Sequence, residues 1–272
     1  MSDDGGKCVA TILGCGSSGG VPRTNGDWGV CDPSVPENRR TRCSLLIQRW
    51  ASQSDVPTNV LVDTSPDMRQ QLISANVRHL DAVLYTHDHA DQTHGIDDLR
   101  SFAYAARKQV KVHLDKPTYK SLSARFGYCF EGKGGYPAIL DARIDLEPGE
   151  STIIHGPSGA IEAMVMEQDH GFIRSLGFRF GDLAYCNDVV RLPEETFEAL
   201  KGVTTLILDT LRYEPHPTHA HLDQALSWIE RVAPEKAILT NLHIDLDYNK
   251  LKAELPRNVS PAFDGMQIQF SH

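Results

Sequence analysis

The segment Leu84-Tyr85-Thr86-His87-Asp88-His89-Ala90-Asp91-Gln92-Thr93-His94-Gly95 decides the reading of this chain. The short apolar run Ala82–Thr86 reads as a buried strand, and potential metal ligands begin where it ends. His87, His89, Asp91 and His94 follow within eight positions. Alternate residues of an extended segment share a face, so His87 and His89 can converge on one ion. Asp91, two further on at the start of a helix, can face a second ion. Histidine and carboxylate without thiolate suit zinc, manganese or iron.

Two histidines do not hold a catalytic ion by themselves, so partners are expected downstream. Three are placed alike, each just after an apolar run. His170 lies in Gln168-Asp169-His170-Gly171, Asp188 in Cys186-Asn187-Asp188, and His243 in Leu239-Thr240-Asn241-Leu242-His243. Strand ends are where α/β folds assemble their sites.

The remaining chain supplies the frame. Runs with β character recur at Val9–Leu13, Ser44–Gln48, Val60–Asp63, Val110–Leu114, Ile161–Glu167, Leu176–Phe180, Leu183–Asn187, Thr205–Asp209 and Ala237–Leu242. Several are continuously apolar, as in strands buried on both faces. Gly181-Asp182 between two of them signals a hairpin. Helical spacing is expected over Asp67–Asn76, Gln92–Ala106, Leu222–Val232 and near Pro193–Leu200. Strands with interleaved helices predict a layered α/β architecture, two sheets inside and helices outside. No repeat or linker divides it, so residues 1–272 are expected as one domain. The stretch 108–149, with Gly127, Gly132, Gly134 and Gly135 among aromatics, reads as a lid-like insertion.

Composition narrows the function. Hydrophobic residues make up 40% and charged residues 23% of the chain, ordinary for a globular protein. No apolar run is long enough to span a membrane. Net charge is −9, which repels a polyanion at long range and argues against an extended nucleic-acid surface. The start, Met1-Ser2-Asp3-Asp4-Gly5-Gly6-Lys7, lacks an export signal, so a cytoplasmic location is expected. The six cysteines are scattered and read as reduced, mostly buried thiols.

The motif T-H-x-H-x-D-x-x-x-G resembles the signature of the metallo-β-lactamase superfamily, and the later His, Asp and His match its ligand order. Gly14-Cys15-Gly16-Ser17-Ser18-Gly19-Gly20-Val21-Pro22, Asn38-Arg39-Arg40-Thr41-Arg42-Cys43-Ser44 and Gly95-Ile96-Asp97-Asp98-Leu99-Arg100 resemble the branch of phosphoribosyl 1,2-cyclic phosphate phosphodiesterases. The tRNA 3′-processing nucleases are more distant. The resemblance implies an αββα four-layer sandwich and two divalent metal ions, zinc or manganese. One ion falls to His87, His89 and His170; Asp188 bridges to a second held by Asp91, which also counts among the catalytic residues. Asp63 resembles the family's supporting acid, or simply caps a turn. The chain departs from the pattern at Gln92 and Asn241, where the family carries histidines of the second ion. Three arrangements follow: His243, or His94, substitutes; the amides offer oxygens to an exchangeable ion; or one ion suffices. Cys31 has no cysteine neighbour to form the family's structural zinc loop. The resemblance also implies a homodimer.

The expected reaction is metal-dependent hydrolysis of a phosphodiester in a small sugar or nucleotide phosphate, with water activated by the metal. His219, in Pro215-His216-Pro217-Thr218-His219-Ala220-His221, is assigned as general acid, with His221 its competitor. Ser17 and Ser18 lie in a loop that can approach a phosphate. Arg39, Arg40 and Arg42 can clamp its oxygens. Tyr136, with Tyr128 and Phe130, either stacks on a base or forms a small satellite core. Two other functions stay open: a nuclease acting on tRNA ends, and a nucleotide-binding module that has lost catalysis.

Overall fold

The computed structural model describes residues 6–51, 54 and 56–272. Six strands come first: β1 (Lys7–Gly14), β2 (Ser44–Trp50), β3 (Thr58–Val62), β4 (Ala82–Leu84), β5 (Val110–Leu114) and β6 (Leu140–Ile144). A second series follows: β7 (Ser151–Gly156), β8 (Gly159–Asp169), β9 (Arg174–Phe180), β10 (Leu183–Cys186), β11 (Thr205–Asp209), β12 (Lys236–Thr240) and β13 (Val259–Pro261). The last strand, β14 (Met266–Phe270), returns to pair with β1. The two seven-stranded sheets run β14-β1-β2-β3-β4-β5-β6 and β13-β12-β11-β10-β9-β8-β7.

Each sheet changes from antiparallel to parallel partway across. The parallel pairs are β3–β4, β4–β5 and β5–β6 in one, and β10–β11, β11–β12 and β12–β13 in the other. Parallel neighbours need crossovers, which cover the outer faces with helices. Side-chain alternation then divides each strand between two cores. In β2, Leu45 and Ile47 point into the space between the sheets, where they join Phe178, Tyr185 and Ile207. Leu46 points outward beside Met68, Leu72 and Leu122 of the covering helices. On the far side Leu206, Leu208 and Leu239 meet Phe197, Ala225, Ile229 and Leu251. The result is a four-layer αββα sandwich, as the metallo-β-lactamase resemblance implied.

Two expectations change. The stretch 108–149 is no lid-like insertion: it supplies β5 and β6 and two helices, Lys116–Arg125 and Gly127–Glu131. Its Val112, Leu114, Leu122, Cys129 and Leu140 are core residues of the first sheet's outer face. The helix expected over Gln92–Ala106 is broken into Ala90–Thr93, a 3-10 turn at Ile96–Leu99 and Arg100–Ala106. The break falls at Gly95, whose backbone nitrogen donates to Thr64 O at 2.9 Å. A Cβ at Gly95 would sit 2.2 Å from Ser65 O, so the chain is pressed against the turn after β3. All six cysteines are buried thiols.

Candidate metal centre

The site stands where the parallel strands end. Asp63 follows β3, His87 and His89 follow β4, Asp188 follows β10, Asp209 closes β11 and Asn241 follows β12. His170 follows β8. Asp63, Asp188 and Asn241 take positive φ, at 62°, 55° and 63°. This left-handed geometry is uncommon for residues with a Cβ, and asparagine and aspartate tolerate it best. Three strands turning in this way at one rim bring their polar ends together.

The structure gathers His87, His89 and His170. Their ligand atoms lie within 4.8 Å of one another, and their ring centroids are 4.6 to 5.1 Å apart. Hydrogen bonds set which nitrogens are free. Asp63 accepts from Thr86 N and Thr86 Oγ1, both at 2.8 Å. With its proton given to Asp63, Thr86 Oγ1 accepts from His87 Nδ1 at 2.9 Å. That leaves the lone pair of His87 on Nε2, which is buried without a hydrogen-bond partner. In the same way His170 Nδ1 donates to Thr218 O at 2.7 Å, and its Nε2 stands 3.2 Å from His89 Nδ1. Burial pushes the His87 imidazole well down, helped by the neighbouring imidazoles. Burial, then His219, brings His170 to about 4. Imidazoles converging from three chain positions, with the rings of His87 and His170 each oriented from behind by an acceptor, fit a divalent metal ion. Burial pushes Asp63, which closes this chain of bonds, up to about 8.

A second group shares His170. Its ligand atom lies within 4.8 Å of those of Asp188 and His219, and the His219 ring is 4.7 Å from the His170 ring. His219 Nδ1 donates to Asp209 Oδ2 at 2.9 Å. Burial pulls this imidazole down, but Asp209 and then Asp188 prevail and raise it to about 9. Asp188 is ringed by amides: Asn187 Nδ2 at 2.5 Å, Gln92 Nε2 at 3.0 Å and Asn241 Nδ2 at 3.3 Å. Burial pushes its carboxyl up, and His219 opposes this.

Other sequence-selected residues fall elsewhere. His243 is not in either cluster: its Nε2 is 2.6 Å from Arg23 Nη2 and its Nδ1 is 2.8 Å from Asp245 Oδ2. His94 is exposed and packs edge-on to Phe126. His221 precedes the helix Leu222–Val232 and makes no side-chain cap. Asp91 is half-buried at the start of the helix Ala90–Thr93, and its charge acts on Asp188 and His219. Arg40 cannot reach a substrate, being 2% exposed and bonded to His243 O, Leu246 O and Asn38 Oδ1. Arg42 pairs with Asp67 at 3.0 Å, and Arg39 lies 5.1 Å over the Trp28 ring. Ser17 is buried, Ser18 exposed and Tyr136 68% exposed. Asp209 was not anticipated, although its place at the end of Thr205–Asp209 matched that of Asp63 and Asp188.

A sandwich of this topology with a histidine cluster at the strand ends defines the metallo-β-lactamase fold. The sequence model described as the beta-lactamase superfamily domain matches residues 58–244, and the chain belongs to that superfamily. A crystal structure described as a new diphosphatase from the PhnP family is 31% identical, with a TM-score of 0.85 and 97% of each chain covered. The octanoyltransferase of Porphyromonas gingivalis (strain ATCC BAA-308 / W83) is 30% identical over 269 residues, 96% of this chain and 51% of that protein. Coenzyme PQQ synthesis protein B of Methylobacterium nodulans is 30% identical over 132 residues, 42% of this chain and 40% of that one. The chain thus spans about half the length, or less, of the curated relatives it matches. Among more distant structures, human tRNase Z, short form, shares the fold at a TM-score of 0.61 and 14% identity, over 96% of this chain and 98% of that one. No helix among the described residues is long and apolar enough to cross a membrane.

Proposed function

We propose that the protein hydrolyses a phosphodiester in a small sugar or nucleotide phosphate. The observation that carries this reading is the convergence of His87, His89 and His170 beside the His219–Asp209 pair. A bound divalent ion supplies charge shielding for the phosphate and an activated water. The chain's residues supply the rest. Asp209 holds the His219 ring by Nδ1 and favours its protonated form, so the imidazole is ready to give a proton to the leaving oxygen. Asp188, fixed by its amides, sets its carboxyl group beside that imidazole. Asp63, through Thr86, holds His87 with its Nε2 lone pair inward.

The similar structure described as a diphosphatase supports a small phosphate substrate. The net charge of −9 favours a small anion over a polynucleotide. Acyl transfer through a cysteine is disfavoured, because burial pushes the thiols of Cys15 and Cys43 well up and that of Cys186 up to about 12. The test is turnover of cyclic sugar phosphates, nucleoside diphosphate derivatives and precursor tRNA by the metal-loaded protein. His87→Ala and His219→Gln serve as controls. Cleavage of the small phosphates that is lost in both variants is expected. Cleavage confined to the tRNA would overturn the reading.

A further inference from the structure

The superfamily resemblance implies two ions, and the second would need Asp91, Asp188 and the side chains at positions 92 and 241. Those two positions carry amides here, and the nitrogen end of each amide faces the carboxylates. Gln92 Nε2 stands between Asp188 Oδ2 at 3.0 Å and Asp91 Oδ2 at 3.5 Å. Asn241 Nδ2 stands between Asp188 Oδ1 at 3.3 Å and Asp209 Oδ1 at 3.0 Å. Turning either amide over would set its oxygen against carboxylate oxygens, where acceptor meets acceptor; for Asn241 two such clashes, with Asp188 and Asp209, stand against one contact with His219 Nδ1 at 3.1 Å. The Asn241 oxygen points the other way, 3.9 Å from Cys43 Sγ.

An amide nitrogen has donor hydrogens and no lone pair for a metal. Its two hydrogens can instead meet two carboxylates at once. Each of these side chains therefore does by hydrogen bonding what a cation would do by charge: it holds neighbouring acids together. Asp188 clusters with His170 and His219, which the first group and Asp209 already hold, and among the described residues no ligand cluster of three contains Asp91. His243, the nearest substitute in sequence, is held by Arg23 and Asp245.

We infer that this protein is a one-ion member of its superfamily, in which the amides of Gln92 and Asn241 take the place of the second metal ion. The ion belongs to His87, His89 and His170. Asp188 serves as an amide-held carboxyl group beside His219 and no longer as a bridge. This inference rests on the metal-centre reading above but not on the identity of the substrate.

The experiment is a metal titration. Metal-free protein is titrated with Zn²⁺ alone and with Mn²⁺ alone by calorimetry, and bound metal is counted by elemental analysis after equilibrium dialysis. One equivalent per chain is expected for the native protein and for Asp91→Asn. Two are expected for the doubly substituted Gln92→His, Asn241→His protein, checked for its fold by circular dichroism. Two equivalents in the native protein, falling to one in Asp91→Asn, overturn the inference while leaving the metal centre intact. A folded double variant that still takes one ion overturns the role given to the amides. No bound metal in the native protein overturns the centre itself, and the inference with it.

Discussion

Asp209 and His219 meet at 2.9 Å, Oδ2 to Nδ1, across a nine-residue loop that no helix or strand spans. Asp209 is buried at the end of β11 and also accepts from Val189 N at 2.9 Å and Asn241 Nδ2 at 3.0 Å. Its position is therefore set by the fold, and it sets that of the imidazole. Removing its charge while keeping its shape leaves the imidazole free to turn or to hold its proton on the wrong nitrogen. Asp209→Asn is expected to lower kcat by about 10²-fold or more, with metal content unchanged. Steady-state kinetics beside elemental analysis checks this. A matching loss of metal would make Asp209 a support of the centre and not of the acid.

The buried, unpartnered Nε2 of His87 makes metal binding a matter of stability as well. An ion bound only by the folded state stabilises it by about 2.7 kcal/mol at a hundredfold excess over Kd. At this chain length that is a rise of several degrees in Tm. Thermal unfolding with Zn²⁺, and again after chelation, should show the rise and its reversal. In His87→Ala the response to metal should vanish. A variant that still gains several degrees would place the ion elsewhere.

Much of this arrangement was legible in the sequence, and what was missed has a pattern. Every interior strand from Val9 to Leu242 was anticipated to within a few residues, because strands buried on both faces leave continuous apolar runs. The four strands not anticipated, β6, β7, β13 and β14, are the outermost strands of the two sheets. Their burial alternates or is brief, as in β7 and β14, and β13 contains Pro261. Edge strands have one paired side and less apolar surface, so their signal is weak. The helix Lys116–Arg125 is poorly amphipathic, yet its start was written in Asp115, whose carboxylate accepts from Thr118 N at 2.9 Å. Asp247 caps Tyr248–Glu254 in the same way, a cue that helical periodicity does not contain. At the site, strand-end logic placed His87, His89, His170 and Asp188 in neighbouring clusters. It did not reveal that Arg40 faces inward, since three arginines within four positions look alike until the backbone assigns their sides.

Asp264 links the glycine-rich loop to the arginine segment. It accepts from Cys15 N at 3.1 Å, Thr41 N at 2.7 Å and Thr41 Oγ1 at 2.6 Å. Burial pushes its carboxyl from 3.8 up to about 6, although the bonds from Thr41 and Cys15 pull it down. Between those values the folded state keeps a proton that the unfolded chain has lost. This group's contribution to stability therefore falls as pH rises through that window. Asp264→Asn has no such titration. The stability of the native protein minus that of the variant, from urea unfolding at a series of pH values, should decline from about pH 4 to about pH 6 and then level. A difference that rises over the window would mean that the hydrogen bonds from Cys15 and Thr41 outweigh burial.

Arg40 gives the last prediction, and it separates fold from chemistry within one short run. Its guanidinium is enclosed by His243 O at 3.2 Å, Leu246 O at 2.7 Å and Asn38 Oδ1 at 3.1 Å. Asn38 in turn donates to Asp247 and accepts from Tyr248 N, so one cation ties the 38–40 segment to the turn before the helix Tyr248–Glu254. Truncation leaves buried acceptors without donors, and each such group costs about 1–3 kcal/mol. Arg40→Ala should therefore lose on the order of 3 kcal/mol or more of unfolding free energy. Arg39→Ala removes an exposed contact with Trp28 and should cost below about 1 kcal/mol. Denaturant unfolding of the two variants decides between them. Equal losses would mean that the inward guanidinium is no more structural than the outward one.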